Sequence, residues 1–223
     1  MGNLGNAKIF GGIGALLTLI GPFIPSVGSI ASIIGMVLIF IAVKYIADET
    51  KDHPIFKNYL LYFICGILAV VLPIVIIFYS VGGLSFFSNL TSMDYSDPSA
   101  FMDFAGPLIT GCLASLAIMW ILLIIGTLFL RKSYNRIAEH TNVGLFKTTG
   151  LVYFIGAITT IIVIGIFIMF IAKILEIIAF FSLPDQLPSP DASKDSGRRC
   201  PNCGRSIPED ARACPYCAKR FEE

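Results

Sequence analysis

The chain has 223 residues, of which 56% are hydrophobic and 14% charged, with a net charge of +1 and a mean hydropathy of +0.81. Soluble domains carry roughly a quarter of their residues as charges, so water is excluded as the solvent for most of this chain, and lipid takes its place. A net charge this near zero also excludes a global electrostatic attraction to nucleic acid or to any other strongly charged partner.

Five apolar segments follow one another, at about residues 8–24, 27–46, 59–81, 105–130 and 151–172. Most have the ~20 residues needed to cross ~30 Å of hydrocarbon as a helix. The first follows Lys8 and has the look of a signal peptide, but no small-residue cleavage site follows it and further long apolar runs do, so it is expected to stay in the mature protein. The opening MGNLGN does not fit N-myristoylation, because Asn6 stands where Ser or Thr is needed. GPFIPS at residues 21–26 separates the first two segments with two prolines, which predicts a tight helical hairpin.

The segment joining the third and fourth spans, residues 82–104, has no Lys or Arg, three Asp and many aromatic residues. It is expected at the water interface, with its rings at headgroup level. It spells a glycosylation sequon at Asn89-Leu90-Thr91, usable only on the outer side of a glycosylating cell. The fifth apolar stretch runs on to Leu183, giving 33 residues from Leu151, too long for one span and too short for two. A charge at mid-bilayer costs about 2.5–3.5 kcal/mol, so the span is placed at 151–172. Lys173 then snorkels at the interface, Glu176 pairs with it at i,i+3, and residues 174–181 form an interfacial or protruding turn. Residues 183–197, rich in Pro, Ser and Asp, read as a linker.

Small residues recur at spacings of four and seven: Gly14 and Gly21, then Gly28, Ser32 and Gly35, then Gly111 and Ser115. Such faces predict close helix packing, within the chain or between copies. IGALLTLIG at 13–21 echoes IGAITTIIVIG at 155–165, but the glycine spacings differ and no repeat is inferred.

Lys44, Lys51 and Lys57 lie between spans two and three, and Arg131, Lys132, Arg136 and Lys147 between spans four and five. The positive-inside rule makes both loops cytoplasmic, and Lys8 puts the amino terminus with them. Five full crossings would deliver the tail outside, whereas four free thiolates are best protected before metal loading in the reducing cytosol. The two arguments conflict. The reading leans to a cytosolic tail, which requires one of the five segments to be re-entrant or to cross incompletely.

Of the six cysteines, Cys65 and Cys112 sit in apolar runs, where a thiol packs as a small hydrophobe. The other four form Cys200-x2-Cys203-x10-Cys214-x2-Cys217, the paired knuckles that close four thiolates around one tetrahedral Zn2+. Pro201 and Pro215 preset the knuckle turns, and Gly204 relieves the crowded position after the first pair. Redox-active dithiols are the competing reading, disfavoured by the presence of two matched pairs. Ile207, Tyr216 and Phe221 are nearly the whole apolar supply of this tail, so metal binding of ~10–16 kcal/mol would have to supply its fold. With Cys in all four positions no place remains for a catalytic water, and the ion is expected to be structural.

Six tail cations, Arg198, Arg199, Arg205, Arg212, Lys219 and Arg220, outnumber Glu209, Asp210, Glu222 and Glu223 by two. Four thiolates around one divalent ion cancel that excess, so nucleic acid is not an expected partner and protein contact is. Asp52-His53 and Glu139-His140 place both histidines beside carboxylates; a shared metal or proton site can be drawn there, but solvated loop residues are the plainer reading. No phosphate-binding loop, Gly-x-Ser-x-Gly elbow or His-Glu-x-x-His pattern occurs, and enzyme readings lack a nucleophile with a base.

KIFGGIGALLTLIG at 8–21, IAVKYIAD at 41–48, IFKNYLLYFI at 55–64, and YNRIAEHTNVGLFKTTGLVYFIGAI running into IIAFFSLP (134–184) resemble the prokaryotic membrane family known as domain of unknown function 996. The likeness covers roughly residues 4–184 and implies a multi-pass integral membrane protein without implying an activity. The tail is similar to a short zinc-ribbon family appended to many bacterial and archaeal membrane proteins, whose metal positions fall on Cys200, Cys203, Cys214 and Cys217. Ala218 departs from that family, where Gly commonly follows the last Cys.

The expected fold is an all-α helical transmembrane bundle of about five apolar helices, the first two a tight hairpin, with a small zinc ribbon. The expected organisation is a membrane domain at 1–184, a linker at 185–197 and the ribbon at 198–223. The expected role is a non-enzymatic scaffold or adaptor in the cell membrane whose ribbon contacts a protein partner or another copy of the chain. The rivals are a channel or transporter component, formed between copies through the glycine faces, and a lipid-modifying enzyme using His53 or His140.

Overall fold

The computed structural model describes residues 3–25, 27–80, 82–83, 98–188, 200–204, 213–214, 216–217 and 219–220, with side chains from 105 onward in the helix that begins at 98. The sequon at 89–91, the linker cation Lys194 and the tail residues Arg198, Arg199, Arg205, Ile207, Glu209, Asp210, Arg212, Pro215, Ala218, Phe221, Glu222 and Glu223 lie outside the described residues. Two compact units form, Met1–Asp185 and Gln186–Glu223.

Helices are the only regular secondary structure among the described residues of the first unit. Its α-helices are α1 (Asn3–Ile20), α2 (Gly28–Thr50), α3 (His53–Ser80), α4 (Pro98–Thr141), α5 (Gly144–Thr159) and α6 (Ile164–Phe181). Short 3-10 turns, Gly21–Phe23 and Thr160–Ile162, extend α1 and α5. Among the described residues six helices are then long and apolar enough to cross a membrane, one more than the five expected from the sequence.

The extra helix comes from the long fifth apolar stretch. It does not run through as one span at 151–172, because the chain reverses at Thr160–Val163. Thr159 and Thr160 turn their hydroxyls back onto the carbonyls of Ile155 and Gly156, at 2.9 and 2.7 Å, which competes with the helix ladder. Val163 adopts φ 65, a conformation costly for a β-branched residue, and its N–H closes the turn on the Thr160 carbonyl. Gly165 makes the reversal possible, since a Cβ there would fall 2.2 Å from the Thr160 nitrogen and 2.3 Å from the Gly156 oxygen. The second helix of this hairpin therefore begins at Ile164. Residues 174–181 are its body rather than a protruding turn.

The predicted first hairpin is present. Pro22 opens the 3-10 turn. A Cβ on Gly14 would lie 2.6 Å from the Gly35 carbonyl, and one on Gly28 would lie 1.9 Å from that of Gly21, so the two backbones touch. The predicted small faces of α1 and α2 thus meet each other within the chain. Ser115 does the same between α3 and α4, with its hydroxyl reaching the Pro73 carbonyl at 3.3 Å as well as Gly111 at 2.7 Å.

Three antiparallel hairpins, α1–α2, α3–α4 and α5–α6, make up the unit. One end gathers the start of α1, the α2–α3 and α4–α5 connections and the end of α6. Ser133 of α4 donates to the Ile55 carbonyl of α3 at 2.9 Å, the rings of Tyr134, Phe146 and Phe180 stack edge to face, and Lys8 Nζ lies 3.9 Å from Asp185. The largest fully buried side chains, among them Tyr134, Phe146, Phe180, Leu4, Ile46, Ile55 and Ile137, collect here. Away from this end the apolar side chains point outward: Ile74 is 62% exposed, Phe167 71% and Ile161 67%. Water would penalise such a surface by roughly 25 cal/mol for each Å² exposed, whereas hydrocarbon does not.

Candidate functional site

Two features carry chemistry: the four-cysteine cluster of the second unit, and a set of polar contacts at the charged end of the first.

In the second unit the backbone of Cys200 accepts from the Gly204 N–H at 2.8 Å, closing the first knuckle, and Gly204 takes φ +70 as the motif requires. The second knuckle is framed by an antiparallel bridge between Ala213 and Arg220, with the Cys214 N–H donating to the Lys219 carbonyl at 2.9 Å. These turns bring the sulfurs together. Cys200 Sγ lies 3.6 Å from Cys217 Sγ, Cys203 Sγ lies 3.6 Å from Cys214 Sγ, and all four are within 4.8 Å of one another.

The donor set fits zinc. Four thiolates at ~2.3 Å from a tetrahedral ion are about 3.8 Å apart, close to the two observed pairs, whereas a disulfide needs ~2.05 Å. The Lys219 backbone N–H, then the Asn202 side chain, draw the Cys217 thiol down to about 6, against the opposing effect of burial. Burial pushes the Cys200 thiol up, but the N–H groups of Cys203 and Asn202 outweigh it and its net shift is downward. Backbone donors aimed at sulfur favour the thiolate, the form that binds metal. Among the described residues these four are the one group of three or more His, Cys, Asp or Glu placed to share an ion. Cys65 and Cys112 are free and half-buried.

At the charged end of the first unit, the expected Lys173–Glu176 pair forms at 2.7 Å. Glu176 is not an exposed partner, however. It is 3% exposed and also accepts from the hydroxyls of Tyr134 at 2.5 Å and Tyr153 at 2.8 Å. One carboxylate thus ties α4, α5 and α6 together, and three donors offset its desolvation. Sequence reading missed this cluster. A signal was present in Tyr134 and Tyr153, since a phenol that flanks or enters an apolar segment needs a partner for its hydroxyl.

The two histidines do not meet. His53 is exposed, while His140 Nε2 lies 3.0 Å from Asp52 Oδ2, which also accepts from Arg136 Nη1. Burial raises the Asp52 carboxyl, but the hydrogen bonds and charges of Arg136 and His140 outweigh it, and the group lies below the ordinary carboxylate range. This is an ion-pair clasp between the α2–α3 connection and α4.

Comparison with known proteins finds two families along the chain. Residues 31–174 match the family described as protein of unknown function (DUF996), and residues 199–221 match a zinc-ribbon domain. The uncharacterized protein MJ1644 of Methanocaldococcus jannaschii is 37% identical over 187 residues, covering 83% of this chain and 96% of the relative. No solved structure matches.

Proposed function

The chain belongs to the DUF996 family and carries a zinc-ribbon domain, and we propose that it is a non-enzymatic multi-pass membrane protein whose ribbon docks a protein partner, or a second copy of the chain, at the cytosolic face. The four-sulfur cluster is the observation that carries this reading. Cys200, Cys203, Cys214 and Cys217 would hold one structural Zn2+, which supplies the folding energy of a segment with almost no apolar core. A site filled by four protein sulfurs leaves no position for a reacting water, so its product is a shaped surface.

The hairpin count supports the cytosolic side. Six crossings return the chain to the side on which it started, and the start of α1 and the end of α6 share one end of the helical unit. Lys44, Lys51, Lys57, Arg131, Lys132, Arg136 and Lys147 belong to that same end, which the positive-inside rule assigns to the cytosol. On this reading loop charge and thiol protection favour the same side, and no re-entrant segment is needed.

The test is capture. With Cys200 and Cys203 both replaced by Ser, membrane insertion should be retained and proteins cross-linked to the wild-type ribbon should be lost; an unchanged set of partners contradicts the reading. Buried Glu176 favours a second role, transport, because ionisable groups between membrane helices often mark ion paths. Flux through reconstituted vesicles that disappears in Glu176→Gln would select it. The glycine faces do not favour a pore between copies, since α1 and α2 spend them on each other.

A further inference from the structure

A second polar feature lies at the charged end of the helical unit, apart from the Glu176 cluster. Beside the contact between the start of α3 and the end of α4 lies an open cavity of about 700 Å³, lined by Pro54, Lys57, Asn58, Lys132, Asn135, Arg136 and Glu139. Three cations face one carboxylate. Arg136 is shared with Asp52, but both of those hydrogen bonds leave from Nη1 of a guanidinium with five N–H donors. The cavity therefore asks for an anion.

Its height relative to the apolar surface narrows the choice. Leu128, 38% exposed, precedes Lys132 by one helical turn, about 6 Å along the axis, and Ile64, 42% exposed, follows Lys57 by roughly 10 Å. Lys132 Nζ sits 5.6 Å from the centre of the Phe129 ring, with a cation above an aromatic face where the apolar band ends. That is the level of lipid phosphates.

We propose that this cavity binds the headgroup of an anionic phospholipid, with Lys57, Lys132 and Arg136 on the phosphate. The shared chemistry with free phosphate is the anion; the lipid adds an acyl chain lying along α3 and α4. Glu139 at the rim disfavours a second phosphate.

The experiment reconstitutes the full chain in nanodiscs of phosphatidylcholine, with and without phosphatidylglycerol, and counts lipid retained after mild detergent extraction by native mass spectrometry. Wild type should retain phosphatidylglycerol over phosphatidylcholine. Lys57→Gln with Lys132→Gln should lose that preference, on the order of five-fold for each cation removed. Lys44→Gln with Lys147→Gln removes equal charge from residues that do not line the cavity and should keep the preference. Asn58→Asp leaves every lysine in place and should also lose it, which guards against a folding defect in the double variant. Equal loss in the two lysine pairs, or no preference in wild type, overturns the proposal. So does a thermal shift from inorganic phosphate, added to phosphatidylcholine nanodiscs, as large as that from phosphatidylglycerol.

Discussion

Phe180 in the helical unit and Cys214 in the ribbon are both about as buried as a side chain can be, at 0% and 1% exposed, for different physical reasons. Phe180 is covered by what the sequence brings to it: the Phe146 ring edge-on at 5.2 Å, and Gly11, where even a Cβ would collide with the ring. Removing any one neighbour leaves the others. Cys214 is covered with Cys200, and with Cys217 packed against them, so among the described residues the buried cluster of the ribbon consists of its own cysteines. Close-packed helices hold one unit through many small contacts, whereas the other gathers its buried side chains into one cluster of sulfurs. The first should lose stability by degrees and the second all at once.

Replacing Cys200 and Cys203 by Ser gives the largest expected effect. About 10–16 kcal/mol of metal-derived folding energy is removed, so bound zinc and resistance of residues 200–223 to proteolysis should be lost. The thermal transition of the helical unit should not move. A helical transition that falls with the ribbon would break the contrast between the two units.

Glu176→Ala comes next, because it strands two buried tyrosine hydroxyls and the half-buried Lys173 ammonium. Unfolding of the helical unit in mixed micelles should become easier by about 3–5 kcal/mol, with zinc content unchanged. Glu176→Gln keeps the shape and should cost less, roughly 1–3 kcal/mol. Equal stability for all three chains would mean that the carboxylate does not tie α4, α5 and α6 together.

A paired glycine test separates close approach from helix propensity. Gly14→Ala places a methyl group 2.6 Å from the Gly35 carbonyl and should cost about 1–3 kcal/mol. Gly66, with nothing within 4 Å of its would-be Cβ, should gain a few tenths of a kcal/mol, up to ~1, from the same substitution. The order of the two melting temperatures checks the claim that α1 and α2 touch backbone to backbone.

Asp52→Asn should have the smallest effect, under about 1 kcal/mol, because Arg136 and His140 are partly exposed. The carboxyl is depressed in the folded chain, so its contribution is full above the ordinary carboxylate value of about 3.9 and fades as pH falls through the lower folded value. Wild type and Asp52→Asn should therefore differ at neutral pH and converge in acid. A difference that grows on acidification would give the linkage the wrong sign.

Local signals carried much of this architecture. The two prolines of GPFIPS announced the α1–α2 hairpin, and the spacing of the cysteines announced the sulfur cluster. The α5–α6 reversal was hidden because ITTIIVIG contains no proline, and because the threonine back-bonds and the positive φ of Val163 become visible only with the backbone in place. The echo between residues 13–21 and 155–165, from which no repeat was inferred, falls on two stretches that each lead into a helix reversal where glycines permit contact. Glu176 was legible only as the partner of Lys173, three residues away; its two tyrosines lie 23 and 42 residues distant on other helices. The Asp52 clasp spans 84 and 88 residues, beyond any local pattern.

The compartment of the ribbon tests the account most directly. In a chain with Cys65 and Cys112 replaced by Ala, metal is stripped with a membrane-permeant chelator and a membrane-impermeant maleimide is applied to intact cells. Six crossings and a cytosolic face predict that Cys200, Cys203, Cys214 and Cys217 stay unlabelled until the membrane is permeabilised. Labelling of the ribbon thiols in intact cells would contradict both the even number of crossings and the side assigned to the docking surface.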